Sequence, residues 1–361
     1  MYYSWYLCLI LLLLCSIETL GDLSLFLQDV LKASTRPIAI LPVNALGLAN
    51  RLRIISSAYS IVSSRNASLV VIWGANEDCD ISFEELFTSS TIRVYNVPGT
   101  IDGFDRYIRR SVNEIIHKTQ VSIQEIYPRS FHLNTDWTST RISILWTRGT
   151  HADIDTLCGE YLHNKRQFYQ QLQPTKTIQN MIDRILPMFY NGGMVVGVHI
   201  RAFDERYDWA VVSPSWTSSL TTATVASADS SILTTPTEDE VIYQLQSKRF
   251  DEAASLHSFI TFMTELLAVH PNMRFFVASN SILAKNNIAQ HFGRERIITL
   301  DEVGNTGQRD THDSILAAAA EFWLLGETAF VIHTRGSSFA REAASRANIP
   351  VLDVNNSNNI L

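Results

Sequence analysis

Short apolar, β-branched runs that alternate with helical patterns constrain this chain more than any other feature. Candidate strands are Pro37–Val43, Leu69–Trp73, Ile92–Tyr95, Arg141–Trp146, Met194–Ile200, Arg274–Ala278, Arg296–Leu300, Thr328–His333 and Pro350–Val354. Helical periodicity fills most of the gaps, over Leu48–Val62, Phe104–His117, Gln167–Met188, Asp251–Val269, Thr311–Leu325 and Ser337–Ala347. Strands that alternate with helices predict an α/β protein with parallel sheets covered on both faces. The run Met194-Val-Val-Gly-Val-His-Ile200 is almost continuously apolar, as a central strand buried on both sides must be.

The 361 residues suffice for two such domains. A helical stretch ends at Asn191-Gly-Gly193, and this break is taken as the boundary between a domain over 35–190 and one over 191–361. Within the second, Ser213–Thr237 is rich in serine and threonine and keeps no apolar period. It reads as a surface insertion.

The chain carries a net charge of −7 and has no lysine/arginine block, so a nucleic-acid partner is not expected. A local basic pocket for an anion is compatible with that balance. No CxxC, HExxH or Cys/His cluster suggests a metal site. The apolar run from Tyr6 to Ile17 fits a secretory signal core, or a marginal anchor if extended from Tyr2 to Leu20. Both place the remainder in the secretory pathway, in the lumen or outside the cell. Sequons at Asn66-Ala-Ser68 and Asn355-Asn-Ser357 agree with that route. Of the four cysteines, Cys8 and Cys15 lie in the apolar run, which leaves Cys79 and Cys158, and spacing does not show whether they pair.

Three strand ends carry candidate chemistry. Gly197-Val-His-Ile-Arg-Ala-Phe-Asp204 ends a buried strand in His199 and Arg201, which period two places on one side. Ligands of open parallel sheets bind at the carboxyl ends of strands, and a guanidinium there matches a phosphate or pyrophosphate. The plain structural alternative is an arginine paired with Asp204. The second segment, Thr334-Arg-Gly-Ser-Ser-Phe-Ala-Arg341, opens a helix after an apolar strand. Gly336 permits a tight turn, and Ser337 and Ser338 stand where an N-cap belongs, so the helix start can receive an anion or be merely a capped turn. The third, Asn44-Ala-Leu-Gly-Leu-Ala-Asn-Arg-Leu52, sets Asn50 and Arg51 on the first turn of a helix after Gly47. A dinucleotide-binding reading fails because no GxGxxG follows any strand.

Taken in order, these segments resemble the GDP-fucose-using fucosyltransferases. Gly47-Leu-Ala-Asn-Arg-Leu52 is similar to their Gly-containing Asn-Arg loop, and Gly197-Val-His-Ile-Arg201 to their Gly-Val-His-x-Arg motif. Arg274-Phe-Phe-Val-Ala-Ser279 resembles their Phe-x-Ala-Ser/Thr-Asp strand. Glu321-Phe-Trp-Leu-Leu325 with Gly336-Ser-Ser-Phe339 resembles their Asp-x-x-x-Leu…Ser-Ser/Thr-Phe block. The resemblance spans about Ile40–Trp73 and Val195–Val354. It implies a GT-B architecture of two facing Rossmann-like domains and inverting transfer from GDP-fucose without a metal or other cofactor. By position, it also implies that Arg201 clamps the β-phosphate and that His199 orients the arginine or touches the sugar. Ser337, Ser338 and Phe339 would hold the phosphates and nucleotide, with Ser279 and Asn280 beside them. Glu321 would meet the nucleoside, and Asn50 and Arg51 would approach the donor from the first domain.

The sequence departs from that pattern at Asn280 and Glu321, where relatives have aspartate, and at Ala202, where a second arginine is common. Asp204, Glu205 and Asp208 are acid/base candidates, and Trp209 a neighbour of the sugar. Asp78-Cys-Asp80 and Asp153-Ile-Asp155 match the metal-binding Asp-x-Asp pattern but are common by chance. Trp73 and Trp323 read as core or base-stacking residues. His312-Asp313 reads as a solvated helix start. The expectation is a lumenal or anchored fucosyltransferase acting on a glycan or glycoprotein. The alternatives are a decayed nucleotide-sugar or glycan binder and a GT-B transferase using another nucleotide sugar.

Overall fold

The computed structural model of the chain describes residues 22–44, 47–76, 79–97, 103–126, 140–146, 160–202, 256–300, 311–334 and 337–354. In chain order the elements begin with α1 (Leu23–Ala33), β1 (Ile38–Val43), α2 (Leu48–Ser64), β2 (Ser68–Gly74), α3 (Phe83–Leu86), β3 (Phe87–Ser89) and β4 (Arg93–Val97). They continue with α4 (Phe104–Thr119), β5 (Ile123–Ile126), β6 (Ile142–Leu145), α5 (Glu160–Gln171), β7 (Leu172–Pro174), α6 (Lys176–Tyr190) and β8 (Val195–Ile200). The chain then forms α7 (Leu256–Val269), β9 (Arg274–Ser279), α8 (Ile282–Phe292), β10 (Ile297–Thr299), α9 (His312–Gly326), β11 (Val331–His333), α10 (Ser338–Ala347) and β12 (Val351–Asp353).

Two compact units result. One comprises Met1–Asp183, Gln308–Trp323 and Ser345–Asn348, and the other Arg184–Gly307, Leu324–Ala344 and Ile349–Leu361. Each is built on a five-stranded, all-parallel sheet. The first has the order β4-β2-β1-β6-β5 and the second β10-β9-β8-β11-β12. In the second the chain winds outward from β8 in both directions, so the strand order reverses between β8 and β11. Their carboxyl ends flank the crevice where open α/β sheets receive ligands.

Burial explains the strand sequences. Every residue of β1 and of β8 is buried, hence their nearly unbroken apolar character. In the first unit Ile40, Val70, Ile72 and Ile144 share a core with Leu27 of α1 and with Ile108, Val112 and Ile115 of α4. The opposite face is covered where α2 packs on α5. In the second unit Val196, Val198, Phe275 and Val277 pack with Phe259 and Met263 of α7 and Ile288 of α8.

The expected single helix Gln167–Met188 is in fact two, α5 and α6, interrupted by β7. Pro174 lacks an N–H and biases Gln173 toward extended backbone. The extended segment is used by pairing antiparallel with β3. Part of α9 belongs to the first unit. There Trp323 stacks on Phe87 at 5.3 Å and Phe322 lies 6.1 Å from Tyr169. Among the described residues no helix is long and apolar enough to cross a membrane. The amino-terminal apolar run lies outside them, as do Cys158, Asn355 and the Ser213–Thr237 insertion.

Candidate functional site

The second unit's candidate site begins with a strand that admits no side chain at its centre. A Cβ on Gly197 would meet Thr328 Oγ1 at 2.8 Å, Leu325 Cδ2 at 3.0 Å and Val331 Cγ2 at 3.1 Å. Glycine therefore lets β8 lie close against the α9–β11 turn. Two residues on, His199 stands in register with His333 of β11 and with Ala278 of β9.

The end of β8 is fastened from both sides. The Arg201 backbone N–H donates to Thr334 Oγ1 at 3.0 Å, and the Thr334 N–H donates to His199 O at 3.1 Å. On the β9 side Ser279 Oγ donates to Ile200 O at 2.7 Å. The Asn280 amide clasps Ala202: its Oδ1 accepts the Ala202 N–H at 3.1 Å while its Nδ2 donates to the Ala202 carbonyl. A carboxylate could accept there but not donate, so an amide fits this clasp and an aspartate would not. Ser279 and Asn280, expected to bind donor, thus spend these groups on the backbone that carries Arg201.

His199 is 7% exposed, and its ring stacks on Phe339 at 5.0 Å and 17°. Burial, then the charges of His333 and Arg201, depress its pKa to about 3, so the imidazole is neutral. Its Nδ1 is buried and has no hydrogen-bond partner among the described residues. Ser337 is 1% exposed, and its Oγ is likewise without one. The Ser337 N–H donates to Thr334 O at 3.1 Å, which sets this serine immediately before the first turn of α10. His333 donates from Nδ1 to the Thr334 carbonyl at 2.7 Å, because a carbonyl can only accept. Its pKa is lowered mainly by burial.

One edge of one sheet therefore collects the Arg201 charge, a neutral His199, an unpartnered Ser337 hydroxyl and the amino end of a ten-residue helix. Such a helix end favours an anion, and a guanidinium, a neutral imidazole and a hydroxyl are groups that can hydrogen-bond one. Thr334 and His333 fasten this edge, a role that the local sequence does not assign to either. The signal available was their place at the end of the apolar run before Gly336. Asp204 and Gly336, expected at this edge, lie outside the described residues, as do Glu205, Asp208 and Trp209.

In the first-unit loop Arg51 is 0% exposed. Its guanidinium donates to Gly74 O at 2.7 Å, Asn44 O at 3.3 Å and Asn76 Oδ1 at 2.7 Å, and lies 4.7 Å over the Trp73 ring. It ties the carboxyl ends of β1 and β2 to the first turn of α2. Gly47 is the N-cap of that helix with φ −69°, a conformation open to any residue. Asn50 is half-buried in the same turn, its N–H donating to Gly47 O at 3.1 Å. Glu321 is buried on the part of α9 that belongs to the first unit. Trp73 and Trp323 are core residues of the first unit. Asp78, Asp153 and Asp155 lie outside the described residues. Among the described residues no three His, Cys, Asp or Glu side chains form a group that could hold a metal ion.

No protein-family model matches the chain, and no curated protein matches it by sequence. Solved structures do match. The selenomethionine form of the fucosyltransferase NodZ from Bradyrhizobium aligns at a TM-score of 0.50 and 15% identity, over 89% of this chain and 95% of that one. The apo form of POFUT1 aligns at a TM-score of 0.50 and 11% identity, over 89% of this chain and 98% of that one. At these identities the likeness establishes the fold: two parallel α/β units of the GT-B class.

Proposed function

We propose that the chain is a glycosyltransferase that moves fucose from GDP-fucose to a glycan or protein hydroxyl with inversion and without a metal. The observation that carries this reading is the convergence of Arg201, His199, Ser337 and the start of α10 at the β8/β11 switch point. In the proposed reaction the acceptor oxygen attacks the anomeric carbon as the bond to the β-phosphate oxygen breaks. Arg201 and the helix end neutralise the charge gathering on the diphosphate. Groups placed in this way are worth about 10²–10³ in rate apiece. His199, being neutral, supplies a hydrogen bond without adding a second full charge. Asp204 stays the candidate to receive the acceptor's proton. The resemblance of the Gly-Val-His-x-Arg and Ser-Ser-Phe segments supports GDP-fucose as donor, and the amino-terminal apolar run supports a lumenal site of action, soluble or singly anchored.

A thermal-shift series with GDP, UDP and CMP tests the donor. GDP at 100 times its dissociation constant should stabilise by about 2.7 kcal/mol, and the others should leave the midpoint in place. Transfer from GDP-fucose should vanish in Arg201→Ala while the far-UV spectrum is kept, and should survive EDTA. A preference for UDP or CMP would overturn the donor. One observation favours a binder without turnover: the position after Arg201 is a buried alanine held by Asn280, so the site has one cation fewer than the resembled motif. GDP binding with no transfer to any acceptor pool would select that reading.

A further inference from the structure

A polar cavity of about 300 Å³ opens in the first unit at the amino ends of β1, β2 and β4, the edge opposite to the one ligands of such sheets use. Arg36 and Arg93 line it together with Ser34, Ser68, Ser90 and Thr91, and no acidic residue lines it. Neither arginine has an ion-pair partner among the described residues. In a chain of net charge −7 such an acid-free pocket is a local exception.

The walls are held in place. Arg141, just ahead of β6, donates to Arg36 O at 2.6 Å, to Leu31 O at 3.4 Å and to Ser34 O, which fixes the α1–β1 turn. Within that turn the Arg36 N–H donates to Ser34 Oγ at 3.2 Å, and Ser34 Oγ lies 3.3 Å from Ser68 Oγ. In the β3–β4 turn the Thr91 N–H donates to Ser89 Oγ at 3.3 Å. A guanidinium fork matches the paired oxygens of an oxyanion, and hydroxyls both donate to and accept from the hydroxyls of a sugar.

We propose that this cavity binds a small ligand bearing one oxyanion beside hydroxyl groups, the chemistry of a carboxylated, sulfated or phosphorylated sugar. The proposal is independent of the reading given to the Arg201 edge. The test is the thermal midpoint of the full chain against millimolar inorganic phosphate, inorganic sulfate, glucuronate and acetate, at ionic strength matched with sodium chloride. Wild type should show saturable shifts, with glucuronate bound at least tenfold more tightly than acetate. The response is read as the difference between wild type and a variant altered only at this cavity, so any binding at the Arg201 edge, present in both, cancels. The double variant Arg36→Gln/Arg93→Gln should unfold at the wild-type midpoint in chloride and lose the response by at least tenfold in affinity. An unchanged response in the double variant, its absence from wild type, or equal affinity for acetate and glucuronate would each overturn the proposal.

Discussion

Replacing His199 with phenylalanine should remove a pH dependence that the fold imposes on its own stability. In the native chain the imidazole is buried between Phe339 and the charges of Arg201 and His333, and its pKa falls from 6.5 to about 3. The folded state therefore binds fewer protons than the unfolded state between those two values. The contribution of His199 is full above pH 6.5 and is lost as the pH falls. Each pH unit below 6.5 costs about 1.4 kcal/mol, so the step from pH 7 to pH 5 costs about 2 kcal/mol from this residue alone. Phenylalanine keeps a ring against Phe339 and cannot titrate. Urea unfolding of both proteins at pH 7 and pH 5, without ligand, measures the difference. The wild type should lose about 2 kcal/mol more than His199→Phe over that interval. The slope from His333, lowered by the same burial, remains in both proteins and cancels. Parallel pH curves for the two proteins would refute the reasoning, because they would mean that position 199 is reached by water and ionises normally.

Three further perturbations have definite outcomes. Gly197→Ala should cost about 1–3 kcal/mol by overpacking. Thr328 Oγ1, the nearest atom, is held by contacts of 2.7 Å and 3.1 Å to Leu325 O and Phe330 O and cannot swing aside, and an unchanged urea midpoint would contradict this. Arg51→Met should lower stability by at least about 3 kcal/mol, because it strips buried acceptors of a charged donor, and Arg51→Lys should recover only part. Loss of nucleotide binding at wild-type stability would reverse the assignment of Arg51. Glu85→Gln should lower stability most between about pH 4.5 and 6.5, where both contributions are full, and should remove the slopes that flank that window. His312, raised by its 2.9 Å contact with Glu85, contributes fully below 6.5 and loses that contribution as the pH rises through its folded value. Glu85, lowered to about 2 by the Ser82 hydroxyl and His312, contributes above 4.5 and loses that contribution as the pH falls. Both side chains are half exposed, so the effect should be small and should shrink in salt, and a salt-independent effect would point to a different cause.

By itself the sequence determined nine of the ten strands in the two large sheets and their parallel class. The apolar runs at Ile38–Val43 and Val195–Ile200 are long enough, and uniform enough, to be buried on both faces in any parallel sheet that contains them. It also showed that a cation and a helix start close two of those strands, because strand end, turn and N-cap are local chemistry. Tertiary structure decided what depends on partners distant in the chain. Gln-Glu between isoleucines in Ile123–Ile126 became an edge strand only because Ile142–Leu145 offered its backbone. The continuous helical period across residue 172 was broken by pairing with Phe87–Ser89. His312, outwardly a solvated helix start, found Glu85 far back along the chain. Arg51 carries the same local signature as a ligand-binding arginine, and only the folding of Asn44, Gly74 and Asn76 around it made it a structural cation. Periodicity and capping are read within a few residues. Burial of a charge, and hence its protonation and its role, is set by whichever distant segments close around it.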